Sequence, residues 1–321
     1  MQEFGFELSL SAMLERSHDA IVSRQLGGAV SGHRVLDTVV IEPGRAFDDR
    51  AAITAETIPD AAIEGAAGTG RARFWKRAVD CHPDRAREVI DRAVDIGFFE
   101  RERRVGREYV RQTARYPEDW FDSILAVENK PDLDRPGALE TQLLTDVHLA
   151  LVDRVVLATA SHVTGAHLNR IPDAVGVWRF DPETDSREVI RDPVPLATDD
   201  HGVELLERTP ARTDIHIATP AEKARVRRRL AERAYGKGWR TYDLPGCTRV
   251  APTADDLPYC SWKDDIIRPA TDCGNDCAGY ECAEPPSARG DRLRGERTPW
   301  VAEPDGRTRR QSGLDRFLDA E

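Results

Sequence analysis

A chain of 321 residues with 40% hydrophobic side chains has room for one large domain or two to three smaller ones, and enough apolar content for a core to exclude wholesale disorder. No stretch approaches the roughly 18 apolar residues of a membrane span, and the N-terminus MQEFGFELSL lacks a basic n-region and a cleavage site, so a cytoplasmic protein without membrane attachment is expected. The formal charge is −11, and the cations are lopsided: lysine stands only at Lys76, Lys130, Lys223, Lys237 and Lys263, and the rest are arginine.

In chain order, EFGFELSLSAMLER (3–16) spaces its apolar residues for an amphipathic helix. AIVSRQLGG (20–28) reads as a short strand, and HRVLDTVVIEPG (33–44) as a stronger one, β-branched and stopped by Pro-Gly, with Asp37 in its middle. From 45 to 117 the character changes. ITAETIPDAAIEG, RARFWKRAVD and PDRAREVIDRAVDIGFF give three helical patterns; in the third, Ala86, Val89, Ile90, Ala93 and Val94 share a face behind Pro83. RERRVGREYVRQTA then reads as a hairpin turning at Gly106. Next come a strand DSILAVENK (122–130), a helix PGALETQLLTDVHLALV (136–152), and two strands, DRVVLATAS (153–161) and VGVWRFD (175–181). A basic helix AEKARVRRRLAERAYGKGW (221–239) and a cysteine-rich segment (247–282) follow, and from 284 a polar, Pro/Gly/Arg-rich stretch reads as a loose tail to 321.

The order helix–strand–strand, insertion, strand–helix–strand–strand is an α/β sandwich pattern. With Asp37 in VLDTVV and Glu128 and Lys130 in AVENK, it resembles the PD-(D/E)xK nuclease superfamily of restriction enzymes, junction resolvases and RecB-type nucleases. That resemblance implies a restriction-endonuclease-like mixed-sheet core, Asp37 and Glu128 as ligands of Mg2+ or Mn2+, and Lys130 orienting or deprotonating the attacking water. It adds Glu7 on the first helix and Gln142 on the helix after the Glu-x-Lys strand as catalytic candidates, and Arg24 on the first strand as a nucleic-acid contact. RecB-like members follow that Gln with a Tyr, whose place Asp146 takes here. The residue types suit the chemistry: hard divalent cations take carboxylate oxygens, and phosphodiester hydrolysis needs charge offset and an activated water. The departure is the long stretch between Asp37 and Glu128, which an inserted domain accounts for. Asp122 is a rival ligand nearer in sequence, and Glu3 and Glu15 share the helix with Glu7; a solvated surface is the plain reading for all three helix glutamates.

Three helices and a hairpin resemble a winged helix-turn-helix, a module that binds nucleic acids or proteins. Its third helix mixes acidic and basic residues, whereas the wing clusters Arg101, Arg103, Arg104, Arg107 and Arg111 and suits phosphate contacts. Helix 221–239, with Arg225, Arg227, Arg228, Arg229 and Arg233, is a second candidate contact or a solvated face. Cys247, Cys260, Cys273 and Cys277, with the pattern C-x12-C-x12-C-x3-C, read as a structural metal site for zinc or an iron–sulfur cluster, with free thiols as the plain alternative. Cys282 follows them, and Cys81 reads as structural.

Net negative charge ordinarily argues against nucleic-acid partners. An acidic, lysine-poor, arginine-rich composition, however, resembles that of extreme halophiles, where high salt already suppresses the counterion-release contribution. Across nearly its whole length the sequence also resembles a haloarchaeal family of unknown function, which supports the habitat and supplies no activity. The expected organisation is a nuclease-like core (1–44 and 118–215) interrupted by a winged helix (45–117), then the basic helix and cysteine-rich segment (216–283) and the tail (284–321). The expected function is metal-dependent hydrolysis of DNA phosphodiester bonds, with DNA as partner and a protein partner as an option for the winged helix. The rival is a non-catalytic DNA-binding or regulatory protein on the same fold.

Overall fold

A computed structural model describes residues 2–134, 137–209 and 211–305. The described residues form two compact units, residues 2–44 with 121–300 and residues 45–120 with 301–305. Helix α1 (Glu3–Ser17) precedes strands β1 (Ile21–Gly27) and β2 (Val35–Pro43). The second unit follows with helices α2 (Phe47–Ala51) and α3 (Asp60–Ile63), strand β3 (Arg73–Phe74) running into a 3-10 turn, helix α4 (Pro83–Asp95) and the hairpin β4 (Phe99–Arg104) and β5 (Arg107–Gln112). The chain returns through β6 (Phe121–Asn129), α5 (Leu139–Leu149), β7 (Arg154–Thr159), α6 (Gly165–Leu168), β8 (Gly176–Asp181) and β9 (Ser186–Arg191). A hairpin of β10 (Gly202–Arg208) and β11 (Thr213–Ala218) leads to α7 (Pro220–Lys237), the short strands β12 (Val250–Pro252), β13 (Pro258–Cys260) and β14 (Asp265–Ile266), and helices α8 (Pro269–Asp272) and α9 (Gly290–Arg297).

The first unit is a mixed α/β fold. Six strands form one sheet in the order β1-β2-β6-β7-β8-β9. β1, β2 and β6 pair antiparallel, β6, β7 and β8 run parallel, and β9 turns back on β8. The parallel β6–β7 pair needs a crossover, which α5 provides. Alternation along the strands splits the sheet into two faces. Val22, Val40, Leu125, Val127, Val156, Ala158 and Phe180 join Phe6, Leu10 and Leu14 of α1 in one core. The other face carries Asp37, Val39, Ile41, Ile124, Ala126 and Glu128. With both faces covered, β6 is buried from Ser123 to Asn129, which is why it reads as an apolar run.

The second unit has a three-stranded sheet, β3-β5-β4, with the hairpin turning at Val105-Gly106, both at positive φ as a two-residue turn requires. Helix α4 buries Ala86, Val89, Ile90 and Ala93, the face its periodicity predicts. Two expected helices are not continuous. In ITAETIPDAAIEG only Asp60–Ile63 is helical, because Pro59 disfavours helical backbone at the residue before it. RARFWKRAVD forms β3 and a 3-10 turn, since Arg73 and Phe74 pair with Val110 and Tyr109.

The expected loose tail is also folded in its first part. Leu293 and Trp300 are buried, and the Arg294 guanidinium lies over the Trp300 ring and donates to the Ala234 and Tyr235 carbonyls in the last turn of α7. Residues 306–321 of that expectation lie outside the described residues. Among the described residues no helix is long and apolar enough to cross a membrane.

Candidate functional site

The register Thr38↔Val127 places Asp37 directly opposite Glu128 on neighbouring strands, both on the face away from α1. The Asn129 backbone N–H donates to Asp37 Oδ2 at 2.9 Å, which ties the Asp37 carboxylate to the end of β6. The Asn129 side chain points to the other face, where its Nδ2 donates to Thr38 Oγ1 at 3.0 Å. Lys130 lies just past the strand end, its N–H bonded to the Ala158 carbonyl, and among the described residues its ammonium makes no hydrogen bond or ion pair. Asp122 is exposed at the start of β6, away from this end.

Two residues that sequence reasoning did not place in the site complete it. Arg34, in the loop before β2, is largely buried and donates from Nη2 to Glu128 Oε2 at 2.6 Å and to Asp146 Oδ2 at 2.7 Å. Its Nε donates to Asp146 Oδ1 at 2.9 Å, so the Asp146 pair is bidentate. The loop itself is pinned by buried Glu204 of β10, whose carboxylate accepts from the N–H groups of Val30, Ser31 and Gly32. The only signal for Asp146 in the sequence was that, on the expected RecB-like resemblance, it stands in place of a Tyr. Arg34, one arginine in an arginine-rich chain, carried none. Gln142 lies one turn before Asp146 on the same helix face, but its side chain makes no hydrogen bond to the carboxylates among the described residues.

Glu7 projects from α1, on the opposite face, and reaches Asp37 only through an intermediary. Gln25 Nε2 donates to Glu7 Oε1 at 2.9 Å and more weakly to Asp37 Oδ1 at 3.4 Å. Arg24 Nε also donates to Glu7 Oε1, at 3.0 Å. Consecutive strand residues normally point to opposite faces. Gln25 escapes that rule through a φ of 52°, a conformation a non-glycine residue holds only when its surroundings enforce it. Lys237 of α7 supplies the enforcement, donating to the Arg24 and Gln25 carbonyls at 2.7 and 2.9 Å. Arg24, the expected nucleic-acid contact, is thus buried against Glu7 and Phe4. Glu15, further along α1, is buried in a separate cluster with Arg240 and Trp239, and Glu3 is exposed.

Burial and like charge set the electrostatics. Burial pushes the Asp37 carboxyl up to about 6, against the Asn129 N–H, with the Glu7 charge adding to the rise. Burial pushes Glu128 up to about 7, and the facing Asp37 charge is its next cause, with Arg34 opposing. Burial also raises Asp146 against its bond to Arg34. Two dehydrated carboxylates side by side raise each other's affinity for a proton, and they would do the same for any cation.

In the second unit Arg101 pairs with Asp91 and Glu108, Arg104 with Glu102, and Arg111 with Glu100. Arg103 and Arg107 are exposed and unpaired among the described residues. On α7, Arg227 is committed to the Leu151 carbonyl and Asp153.

All six cysteines are free. Cys247 and Cys260 are buried with Val250 and Ile267 in a small core on which Cys273 packs. Burial and a hydrogen bond with Cys247 push the Cys273 thiol up, and Cys277 and Cys260 are close enough to add to it. Cys282 is exposed. Among the described residues no three His, Cys, Asp or Glu side chains already stand in an arrangement that holds an ion.

Neither the curated proteins nor the solved structures contain a match to this chain. Residues 21–282 match a family of unknown function, DUF5787, and the chain belongs to that family.

Proposed function

We propose that the protein is a cytoplasmic, metal-dependent nuclease that hydrolyses DNA phosphodiester bonds, with a restriction-endonuclease-like sheet in the first unit and a winged helix-turn-helix in the second. The observation that carries this reading is the Asp37–Glu128 pair, face to face on β2 and β6 with Lys130 just beyond the strand end. The donor set fits a hard divalent cation: two oxygen ligands, dehydrated, whose mutual repulsion a cation relieves. Asp37 and Glu128 would hold Mg2+ or Mn2+, which when bound supplies Lewis acidity and charge neutralisation at a phosphate oxygen. The Lys130 ammonium, free of ion pairs among the described residues, would hold a water by donating to its oxygen and would meet the charge that develops on the phosphate. The Asn129 N–H keeps Asp37 turned toward Glu128, and Gln25, gripped by Glu7, buttresses its other oxygen. Exposed Arg103 and Arg107 on the wing would contact the DNA backbone.

One observation favours the rival reading. Arg34 already gives Glu128 a cationic partner at 2.6 Å, so part of the pocket's negative charge is offset by a side chain. On that reading the sheet is a scaffold and the protein binds DNA without cleaving it. Cleavage of duplex, flap and single-stranded DNA with Mg2+ or Mn2+ at high salt, for wild type beside Asp37→Ala and Lys130→Ala, decides between them. The nuclease reading expects cleavage by wild type alone. Equal cleavage by all three would expose a contaminant, and wild-type binding without cleavage would favour the rival.

A further inference from the structure

Residues 246–283 hold too little apolar material to fold on their own account. Their strands β12, β13 and β14 span three, three and two residues, and the core behind them consists of Val250, Ile267 and cysteines, with Tyr280 at its edge. Segments with so small a core are generally stapled by disulfides or a metal. No disulfide is present, yet four thiols gather here from three places in the segment, and a fifth, Cys282, stands exposed across a β-bridge from Cys247. Cys260 pairs across from Val250 on β13, and Cys247 lies three residues before β12. Cys273 packs onto both, and Cys277 follows it through a turn closed by its own N–H to the Gly274 carbonyl. The Glu281 N–H donates to the Cys247 sulfur at 3.5 Å, the contact expected of a sulfur that is to carry negative charge.

We propose that Cys247, Cys260, Cys273 and Cys277 bind one zinc ion as four thiolates, and that this ion takes the place of a hydrophobic core for the segment. The four thiol protons pass to solvent on binding, and the side chains turn inward from their present packing to a tetrahedral arrangement. The same segment supplies Arg268, Pro269 and Ala270, which form one wall of an open cleft of about 630 Å3 whose other wall includes Glu7, Arg24 and Gln25. The zinc would thereby hold that wall of the cleft in place on the α1 face, across from Gln25, which reaches on to Asp37. None of this depends on the protein's being a nuclease.

The full-length chain, purified under reducing conditions and dialysed against metal-free buffer, is assayed for bound metal by mass spectrometry and then exchanged with cobalt. The expected result is one zinc per chain and the intense red-region and near-ultraviolet bands of a tetrathiolate cobalt site. Cys247→Ser, Cys260→Ser, Cys273→Ser or Cys277→Ser should abolish binding of the ion, while Cys81→Ser and Cys282→Ser retain it. Should the serine variants precipitate, the folded wild type still answers: zinc should leave in step with modification of four thiols by a mercurial. A metal-free chain with freely reacting thiols, disulfides among these four, a brown iron–sulfur chromophore, or full retention in Cys273→Ser and Cys277→Ser would each overturn the assignment.

Discussion

Glu128→Gln tests whether the site is electrostatically strained. The folded-state pKa of Glu128 is about 7, above the ordinary 4.5 it regains on unfolding. Between these values the folded chain holds a proton that the unfolded chain has released, so stability falls as pH rises. The contribution is fully present below pH 4.5 and is lost as pH passes about 7. At ~1.4 kcal/mol per pH unit, the window corresponds to a loss on the order of 3 kcal/mol. Asp37, raised from 3.8 to about 6, loses stability in the same direction, and the two titrate as a pair. Glutamine keeps the shape of the protonated acid but cannot ionise. It removes the Glu128 share and lowers the Asp37 share by taking away a neighbouring charge. Urea unfolding at about pH 5 and about pH 8, at constant ionic strength with a chelator present, should therefore show wild type losing at least twice the stability that the variant loses. Added Mg2+ should recover stability for wild type at the higher pH and leave the variant unmoved. A wild type equally stable at both pH values, or a variant that loses as much as wild type, would refute the reasoning.

Arg34→Ala leaves Asp146 and Glu128 buried without their cation, and truncating one member of such a group costs roughly 3–5 kcal/mol. Chemical denaturation should show that loss, and Asp146→Asn added to Arg34→Ala should recover part of it; no recovery would contradict the pairing. Gly202→Ala would drive a Cβ into the Leu149 carbonyl oxygen at the end of α5, so a destabilisation of about 1–3 kcal/mol is expected. An unchanged thermal midpoint would show that β10 does not pack against α5 this closely.

The elements of the central sheet were legible because their residues report it locally. Apolar runs such as VLDTVV and ILAVEN sit in strands buried on both faces, and α4 carries its stripe where the periodicity puts it. RARFWKRAVD misled because its helical spacing loses to pairing of Arg73 and Phe74 with a strand that lies more than thirty residues on. Segment 284–300 misled for a related reason: its composition is polar, but two large side chains, Leu293 and Trp300, suffice to anchor it. Glu15 shows the same limit, since nothing in a helix's own sequence reveals that Arg240 and Trp239 will bury one of its glutamates and leave Glu3 exposed.

What the amino-acid order determined alone was the periodicity of most elements and the residue types at the candidate site, Asp37, Glu128 and Lys130. Only the tertiary structure decided what surrounds them: that Asp37 faces Glu128 across two strands, that Arg34 and Asp146 close over Glu128, and that Glu7 stands on the far face and meets Asp37 only through Gln25. The reason is that periodicity is a property of neighbouring residues, whereas the charge a buried carboxylate carries depends on partners brought from distant parts of the chain.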